Sequence, residues 1–453
     1  MQALQADFVV VGAGYAGLTA ALRLTQAGRS VVVLEARDRV GGRVYTQTLP
    51  DGSWLDFGGT WFGPGQEYSY ALAREMGVPT YPTYVEGESL VVMDDGKIVR
   101  NAGSFPLSAL LSAAAALLLM TEFESMGKRL PLERPWEAPE ARAWDRQTVA
   151  SWLDSQLGDA MHLAKTALST IMTGVFTSDV AEISLLHALY LVRSHQGFER
   201  LMAVTGGDQQ DRVMGGMQAI AERMKDRLGA DIRLNAPVRA IRQDDRGAEV
   251  VADTATVRAQ RVIVTLPPWL TGGLRYDPPL PAERALLAQR TPSGSVIKVL
   301  IKYDTPFWRA KGLSGQSFAV TDPVGATFDG CTDTATAGLM IAFAFGPQAR
   351  ELARLSKPER QHVFIDALVR RFGPEAAAPT TEYHEHDWAD EDWSRGGILV
   401  HFPPGVLTSF GPALTEPCGR IHWAGTETST RFYGSINGAI ESGERAAQEV
   451  LRA

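Results

Sequence analysis

Cysteine is scarce in this chain, which contains only Cys331 and Cys418 among its 453 residues. Two thiols so far apart in the sequence exclude a disulfide scaffold and a zinc site built from clustered cysteines. We therefore expect two unpaired thiols in a protein of a reducing compartment.

An excess of basic residues is absent as well, because Lys and Arg total 44 against 52 Asp and Glu, a net charge of −8. This balance disfavours a broad electrostatic surface for nucleic acid. With 45% hydrophobic and 21% charged residues, the composition is that of an ordinary globular protein. A chain of this length predicts two or three structural units.

No apolar run is long enough for a membrane-spanning helix. The longest run, from Leu107 to Met120, falls short of the roughly 18 to 20 residues that crossing a bilayer requires. It predicts a buried or partly exposed helix, and contact with a membrane surface stays open as an alternative. The N-terminus shows no signal-peptide pattern and the C-terminus no hydrophobic tail, so we expect a cytoplasmic protein without a transmembrane anchor.

The clearest motif lies in the first 35 residues. An apolar strand, Phe8 to Val11, runs directly into Gly12-Ala13-Gly14-Tyr15-Ala16-Gly17. A helix and a second apolar strand, Val31 to Leu34, follow. In such a βαβ unit, backbone N–H groups and the positive end of the helix bind a pyrophosphate.

Each glycine of this motif has a physical role in binding a dinucleotide. Gly12 permits the tight turn, Gly14 lets the phosphates approach the backbone, and Gly17 lets the helix pack closely on the sheet. Glu35 follows at the distance where an acidic residue accepts hydrogen bonds from the adenosine ribose. Because an acid would repel a 2′-phosphate, NADP is disfavoured.

Apolar patterns predict further elements along the rest of the chain. Helical spacing from about residue 80 to residue 205 predicts a mostly helical insert. Helices are also predicted near Pro358 to Phe372 and from Gly438 to Leu451, the second after the strand and glycine turn of Ile421 to Glu427. Short strands are predicted at Ile232 to Leu234, Val238 to Ile241, Glu249 to Val251, Val262 to Val264, Val296 to Tyr303 and Gly338 to Phe345.

Segments spread over the whole chain resemble those of the flavin amine oxidases. The resemblance begins with Gly12 to Arg43, which ends in Glu35-Ala36-Arg37-Asp38-Arg39-Val40-Gly41-Gly42-Arg43. It continues through Gly58-Gly59-Thr60-Trp61, Gly294 to Lys298, Phe402-Pro403-Pro404-Gly405, Trp423 to Thr428 and Gly438 to Ala447. Together these segments are far more specific than the first motif alone, and they are most similar to the monoamine oxidases.

The resemblance implies an α/β fold of the monoamine oxidase type with two domains. The first is a Rossmann-like FAD-binding domain around the GxGxxG βαβ unit, formed by residues 1–80, 206–290 and 390–453. The second combines a second mixed sheet with helices into a substrate-binding domain, formed by residues 81–205 and 291–389. The substrate would lie at the junction of the two domains, in front of the flavin ring.

The resemblance also implies which residues bind FAD. The backbone of Val238 would meet the adenine end, and the segment from Gly434 to Ile436 would meet the isoalloxazine ring. Without the resemblance, that C-terminal segment could equally be an ordinary strand-turn-helix connection. The implied set is Gly12, Gly14, Ala16, Gly17, Glu35, Ala36, Arg37, Gly42, Arg43, Gly58, Gly59, Thr60, Trp61, Val238, Gly425, Thr426, Glu427, Gly434, Ser435 and Ile436.

Two residues resemble the catalytic residues of the family. Lys298 resembles the lysine that holds a water near flavin N5 and assists reoxidation by dioxygen. In the apolar run Val296 to Leu300 an unpaired ammonium would be costly, but strand alternation alone also permits a lysine that faces solvent. Trp388 resembles a tryptophan beside that lysine, and a generic core aromatic is its alternative.

Three departures from the animal monoamine oxidases stand out. Ile398 occupies the position of the cysteine that bonds the flavin, so noncovalent FAD is expected. Leu399 and Ser435 replace the two tyrosines that sandwich the amine, which leaves a differently shaped pocket. Arg395 is an extra residue without a family counterpart, and its role is open.

The resemblance places a group of residues around the substrate, with Phe432, Tyr433 and Trp61 as candidates to replace the missing aromatic pair. Gln209 is a polar amide that could orient the substrate, and a surface glutamine is its alternative. The implied lining is Thr173, Gly174, Val175, Met202, Gln209, Leu399, Phe432 and Tyr433.

A metal site is not expected in this protein. His384 and His386 have no third ligand in view, and their acidic neighbours suggest a solvated loop.

The resemblance implies oxidation of an amine to an imine, with dioxygen reduced to hydrogen peroxide and the imine hydrolysed to an aldehyde or ketone. The partners are therefore a small amine and dioxygen, and the oligomeric state is left open, a homodimer included. A flavin-dependent desaturase of carbon–carbon bonds and an L-amino-acid oxidase are alternative enzymes, although no arginine can be assigned to a substrate carboxylate. A redox-sensing FAD-binding module is the non-enzymatic alternative.

Overall fold

A computed structural model describes residues 2–102, 114–157, 161–332 and 335–453 of the chain. Its first sheet is fully parallel, and its three inner strands are short, mostly buried runs rich in valine, isoleucine and leucine, as such sheets favour. In spatial order its five strands are Asp231–Arg233, Val31–Leu34, Phe8–Val11, Arg261–Val264 and Ile421–Trp423.

One face of this parallel sheet is covered by two helices. Tyr15–Gln26 follows the first glycine turn, and Ile436–Arg452 closes the chain. Leu18 and Ile440, one from each helix, belong to the same buried cluster as Val10 of the central strand. The dinucleotide motif and the C-terminal segment, far apart in sequence, therefore lie side by side.

The opposite face packs against a second sheet of five strands, which mixes parallel and antiparallel pairs. Val11 of the parallel sheet and Val250 of the second sheet share one buried cluster. In spatial order the strands of the second sheet are Gln2–Gln5, Ala255–Ala259, Gly247–Ala252, Val238–Asp244 and Arg275–Asp277.

A third, mixed sheet of seven strands lies in the remaining part of the protein. The strand Val296–Tyr303 lies next to one edge of this sheet, and its register places Lys298 between Phe343 and His386 of the two neighbouring strands. In spatial order the strands are Glu382–Asp387, Val296–Tyr303, Gly338–Phe345, Ala326–Asp329, Leu313–Ala319, Glu88–Val92 and Ile98–Ala102. A small hairpin pairs Thr46–Thr48 with Trp54–Asp56, and a second two-stranded antiparallel sheet pairs Thr80–Pro82 with Asp211–Val213, which are far apart in the sequence.

Helices surround the third sheet and form a separate core of their own. The remaining α-helices are Glu67–Glu75, Ala114–Lys128, Ala141–Asp145, Val149–Gln156, His162–Phe176, Leu185–Ser194, Phe198–Met202, Gln218–Arg227, Pro268–Thr271, Ala282–Arg290, Phe307–Ala310, Gly346–Leu352, Lys357–Phe372 and Val406–Phe410. Short 3₁₀ turns occur at Pro135–Glu137, Pro374–Ala377, Gly411–Leu414 and Thr426–Thr428.

The structure confirms the α/β fold, the βαβ unit and most of the individually predicted strands, Val296–Tyr303 and Gly338–Phe345 among them. The division into an FAD-binding and a substrate-binding domain at the stated boundaries stays a prediction. Both cysteines are buried and unpaired.

One local prediction was wrong, and another holds except at the start of its range. The insert from about residue 80 to residue 205 is mostly helical, with its described helices between Ala114 and Met202, but it begins with strands, because Glu88–Val92 and Ile98–Ala102 complete the seven-stranded sheet. His384 and His386 do not lie on a solvated loop but on the edge strand Glu382–Asp387, which pairs with Val296–Tyr303 and leaves both rings partly buried.

The apolar run from Leu107 to Met120 lies partly outside the described residues. Its end belongs to the helix Ala114–Lys128, where Leu119 is buried and Leu118 is 71% exposed. Within the described parts of the chain, no helix is long and apolar enough to cross a membrane.

Candidate active site

A cavity of about 140 Å³ opens at the carboxyl edge of the parallel sheet, and we name it the cradle. Gly12, Glu35, Thr265 and Gly425 line it, and all four come directly or closely after a parallel strand. Ligands of open α/β sheets bind at this edge. Of the predicted cofactor residues, the cradle is lined by Gly12, Gly14, Ala16, Glu35, Arg37, Gly42, Arg43, Gly59, Gly425, Thr426, Gly434, Ser435 and Ile436.

The first glycine turn is shaped for close approach by a ligand. A Cβ atom on Gly14 would meet the backbone of Gly41 and Gly42 only at 3.7 Å or more, so the space over Gly14 is open to a phosphate. A Cβ on Gly17 would lie 2.0 Å from the carbonyl oxygen of Gly12, so this glycine is required by the packing of helix on strand. The residues present therefore fit a bound dinucleotide.

Glu35 is buried at the end of the second parallel strand, where its carboxylate accepts two backbone hydrogen bonds. Ala13 N donates to Oε2 at 2.7 Å, and Arg37 N donates to Oε1 at 3.0 Å. The acid thereby connects the glycine turn to the segment that follows the second strand. Contact with the ribose stays a prediction.

Arg43 joins the cradle to the C-terminal segment. Its guanidinium pairs with the buried Glu427 at 2.7 Å and donates to the carbonyl oxygen of Ile398 at 3.0 Å. Arg43, Ile398 and the segment from Gly434 to Ile436 line both the cradle and a second cavity of about 220 Å³. The two cavities are therefore contiguous.

The second cavity, which we name the lysine cavity, contains the side chain predicted to be catalytic. Lys298 is 2% exposed, so the alternative of a strand lysine facing solvent was wrong. Its Nζ donates to the carbonyl oxygen of Gly58 at 3.0 Å and to the hydroxyl of Thr60. Burial lowers the pKa of Lys298 to about 7. The amine can thus gain or lose a proton near neutral pH.

A Lys298→Met variant tests this burial through the pH dependence of stability. The Lys298 pKa is about 7 in the folded protein, whereas a lysine in the unfolded chain titrates near roughly 10.4. Between these values the unfolded state binds more protons, so the stability of the wild type rises with pH. We therefore expect the stability of the variant relative to the wild type to fall by about 3 kcal/mol between about pH 7 and about pH 10.

The measurement is denaturant unfolding of both proteins at the same FAD saturation. A difference that stays constant over this pH range would contradict the lowered pKa of Lys298.

Trp388 lies at the same cavity. It is buried, its indole N–H donates to the carbonyl oxygen of Phe57 at 3.0 Å, and it follows the edge strand that pairs with the strand of Lys298. The predicted residues that line the lysine cavity are Arg43, Gly58, Gly59, Thr60, Trp61, Val175, Gln209, Lys298, Trp388, Leu399, Tyr433, Gly434, Ser435 and Ile436.

A third cavity of about 240 Å³ continues from the lysine cavity, with which it shares Trp61, Gln209 and Ile398. We name it the aromatic cavity, because the Trp61 ring lies 5.2 Å from that of Phe328 and Phe343 stacks on Phe345 at 5.4 Å. The predicted residues Gly174, Val175 and Met202 line it as well.

Two polar atoms at the boundary of these cavities lack a partner. Gln209 donates through Nε2 to the carbonyl oxygen of Leu201 at 3.0 Å, while its Oε1 and the indole nitrogen of Trp61 have no hydrogen-bond partner among the described residues. A buried polar atom without a partner is costly, so both are suited to a polar group of a ligand. Gln209 is thus partly buried rather than a surface glutamine.

Some predicted residues lie elsewhere. Thr173 lines a neighbouring cavity of about 290 Å³ that also contains Lys165 and Asp322. Phe432 is buried behind the lysine cavity, where its ring meets that of His195 edge to face. Gly17, Ala36, Val238 and Glu427 lie beside the cradle without lining it, and Val238 begins a strand of the second sheet.

Sequence patterns did not reveal a buried contact between His195 and Asp208 in the lysine cavity. His195 Nδ1 contacts the carboxylate of Asp208, and His195 Nε2 lies 2.8 Å from the carbonyl oxygen of Tyr433. Gln66 donates to the other oxygen of Asp208 at 3.0 Å. Both ring nitrogens of His195 thus face an oxygen atom. No spacing rule connects these residues, so the sequence carried no signal for the pair.

Comparison with known proteins agrees with this arrangement. A model of the family described as flavin containing amine oxidoreductase matches residues 15–451 of the chain. The flavin-containing amine oxidase B of Sus scrofa is 36% identical over 454 residues, which cover 99% of this chain and 86% of that protein. A structure of wild-type putrescine oxidase bound to putrescine is 36% identical, with a TM-score of 0.93 over 100% of both chains. Cyclohexylamine oxidase from Brevibacterium oxydans IH-35A is 31% identical, with a TM-score of 0.93 over 99% of both chains.

Proposed function

Because the chain belongs to the family of flavin-containing amine oxidoreductases, it is an FAD-dependent amine oxidase, and we propose that it binds FAD noncovalently and oxidises apolar amines beside Lys298. The observation that carries the proposal is the position of Lys298. A buried amine with a pKa of about 7 lines the cavity that is contiguous with the dinucleotide cradle. A buried group that exchanges protons, placed next to the cavity for the flavin, suits a site where an amine is oxidised and dioxygen is reduced.

Bound FAD supplies the two-electron acceptor that takes the equivalent of a hydride from the carbon next to the amine nitrogen. Overall, the amine becomes an imine, dioxygen becomes hydrogen peroxide, and water hydrolyses the imine to an aldehyde or ketone.

The residues of the cradle would bind the cofactor through backbone N–H groups and through charged side chains. The N–H groups of Gly12 and Ala13 already donate to Leu34 and Glu35. The open space over Gly14 and the N-terminus of the helix Tyr15–Gln26 would therefore receive the pyrophosphate, and Glu35 lies where the ribose would bind. Arg43 and the segment from Gly434 to Ile436 extend this surface into the lysine cavity.

Lys298 would hold and move the proton that dioxygen reduction needs. Its Nζ is held by Gly58 and Thr60, and its lowered pKa lets it exchange a proton near neutral pH. A charged Lys298 also disfavours a substrate ammonium, so the cavity favours the neutral amine that alone can lose a hydride. Gln209 Oε1, which lacks a partner among the described residues, is placed to accept an N–H from that amine.

The residues that line the aromatic cavity indicate which amines are good substrates. Trp61, Phe328 and Phe343 form much of its wall, and none of the described residues that line it carries a carboxylate. A second ammonium group would therefore enter without a partner, which is costly in an apolar site. We infer that amines with an aryl or cycloalkyl substituent are better substrates than diamines or amino acids.

The test is a panel of benzylamine, cyclohexylamine, putrescine and an L-amino acid scored by peroxide release under air. We expect the two apolar monoamines to be oxidised with a kcat/KM at least about 100-fold above that of putrescine, because one uncompensated buried charge costs several kcal/mol. Equal activity on putrescine would contradict the apolar preference. Absence of peroxide with every amine would contradict oxidase activity itself.

The mode of flavin attachment has its own test. Since Ile398 cannot form a thioether, acid or guanidinium denaturation is expected to release the flavin completely into the supernatant as FAD. The release is measured by the absorbance of the flavin band in the supernatant and in the precipitate. Yellow colour retained on the precipitated chain would show a covalent bond elsewhere.

A further inference from the structure

The segment from Glu391 to Ile398, which we refer to as the 391–398 segment, contributes Trp393, Ser394 and Ile398 to the lining of the cradle. It follows the edge strand of the third sheet, whereas Glu35 and Arg37 of the lining come from the segment after the second parallel strand. These two stretches form two walls of the cradle, so a ligand in the cradle contacts both of them.

Ion pairs connect the two walls. The Glu391 carboxylate pairs with the guanidinium of Arg37 and lies 3.4 Å from that of Arg39. Its other oxygen lies 3.5 Å from Nε2 of His386. These side chains are mostly buried, with 18% exposure for Glu391, 10% for Arg37 and 15% for Arg39, so the pairing is screened less than a surface salt bridge.

The charge on Glu391 is present throughout the neutral range. Burial raises its pKa, but His386, Arg37 and Arg39 outweigh this effect and lower the pKa of Glu391 to about 2. The pairing is therefore intact at every pH at which the enzyme would be assayed.

Further hydrogen bonds hold the same segment in place. Arg37 donates to the Ser394 hydroxyl at 2.7 Å, and Trp269 donates to the Ser394 carbonyl oxygen at 2.8 Å. Arg43 donates to the carbonyl oxygen of Ile398 at 3.0 Å. Arg37 and Arg43, which line the cradle, thus also bind the 391–398 segment.

We propose that the 391–398 segment is a clasp, fastened by Glu391 to Arg37 and Arg39, that retains FAD in the cradle. The proposal rests on the noncovalent flavin proposed above, because a covalently bound flavin would need no clasp. FAD leaves when the segment separates from Arg37 and Arg39, so the ion pairs set the rate of release. Glu391 acts through the segment and is a positioning residue.

The test compares FAD release from the holoenzymes of the wild type, Glu391→Gln and Asp392→Asn. Gln keeps the size of Glu391 but removes the charge that joins the walls. Asp392 is the matched control, because it lies in the same segment and pairs only within it, with Arg395, at 73% and 60% exposure. Each holoenzyme is diluted to nanomolar concentration, and the rise of flavin fluorescence gives the rate of release.

We expect Glu391→Gln to release FAD roughly tenfold to a hundredfold faster than the wild type, the effect of losing a charge-assisted bond in a mostly buried site. Asp392→Asn should stay within about twofold of the wild type, as an exposed pair contributes little. Added salt should speed release from the wild type more than from Glu391→Gln. Glu391→Asp, which keeps the charge, should recover part of the retention.

Release from Glu391→Gln at the rate of the wild type would overturn the clasp. Equal acceleration in Asp392→Asn would also overturn it, because the effect would then belong to general loosening of the segment. If Glu391→Gln fails to fold, Glu391→Asp takes its place, because its shorter side chain draws the carboxylate away from Arg37 and Arg39, and an unchanged rate of release would again overturn the proposal. Retention of flavin by the denatured wild type would instead refute the noncovalent premise.

Discussion

Replacing Lys298 with methionine is expected to leave FAD bound and to slow the reaction of the reduced enzyme with dioxygen by about 100-fold, the loss typical of removing one preorganised donor from a buried site. The physical reason is that dioxygen gains negative charge as it is reduced, and Lys298 is a buried basic side chain of the lysine cavity that, when protonated, stabilises this charge and can donate a proton. Methionine has a similar length without charge or donor. Stopped-flow mixing of the photoreduced protein with dissolved oxygen measures the rate.

The same strand offers a matched control. Lys302 lies near the surface, where it pairs with Asp51 at 2.6 Å. Lys302→Met makes the same chemical change outside the cavity and should leave the rate unchanged. An unaltered rate in Lys298→Met, with FAD still bound, would remove Lys298 from the mechanism.

Gly14→Ala is expected to raise the dissociation constant for FAD by at least about 100-fold, equivalent to about 2.7 kcal/mol, while the protein still folds. The backbone of Gly14 has φ −73° and ψ 179°, which alanine adopts without strain. The new methyl group would contact the chain only at ordinary distances, so its volume is taken from the space that the pyrophosphate needs. Circular dichroism reports the fold, and titration of flavin fluorescence reports binding.

Gly17→Ala is the contrasting variant within the same motif. Its methyl group would lie 2.0 Å from the Gly12 carbonyl oxygen, so the helix must move away from the strand. We expect loss of folded protein rather than a selective loss of FAD. Added FAD should raise the Tm of the wild type but not that of Gly14→Ala. Tight FAD binding by Gly14→Ala would show that the pyrophosphate does not approach this turn.

The strand predictions succeeded where a periodic apolar pattern was long. Val296–Tyr303 was predicted at its observed bounds, because its apolar residues suit only a buried strand. Glu382–Asp387 was mistaken for a loop, since all but one of its six residues are charged or histidine. Its strand conformation comes from backbone pairing with Val296–Tyr303, which a polar sequence does not reveal.

The resemblance to the family located Lys298, but the side of the sheet that it faces was open until the structure placed it. Alternation fits an inward or an outward lysine equally well. The packing of other parts of the chain decides between them, because Gly58 and Thr60, in the loop after Trp54–Asp56, and Phe343, on a neighbouring strand, enclose the side chain. The contacts of His195 with Asp208 and of Glu391 with Arg37 join residues from different parts of the chain, so no local pattern revealed them.

The amino-acid sequence by itself determined that a strand, a glycine turn and a helix follow one another in the order of a dinucleotide site, and the resemblance to the family implied that Ile398 stands where a thioether would need a cysteine. Those properties are local, since they depend on backbone freedom and on the chemistry of single residues. Only the tertiary structure decided which polar groups share a buried cavity, how far Lys298 is shielded from water, and which charged side chains pair beside the cradle. Such properties depend on distances between residues remote in sequence, and those distances are set only when the three sheets pack together.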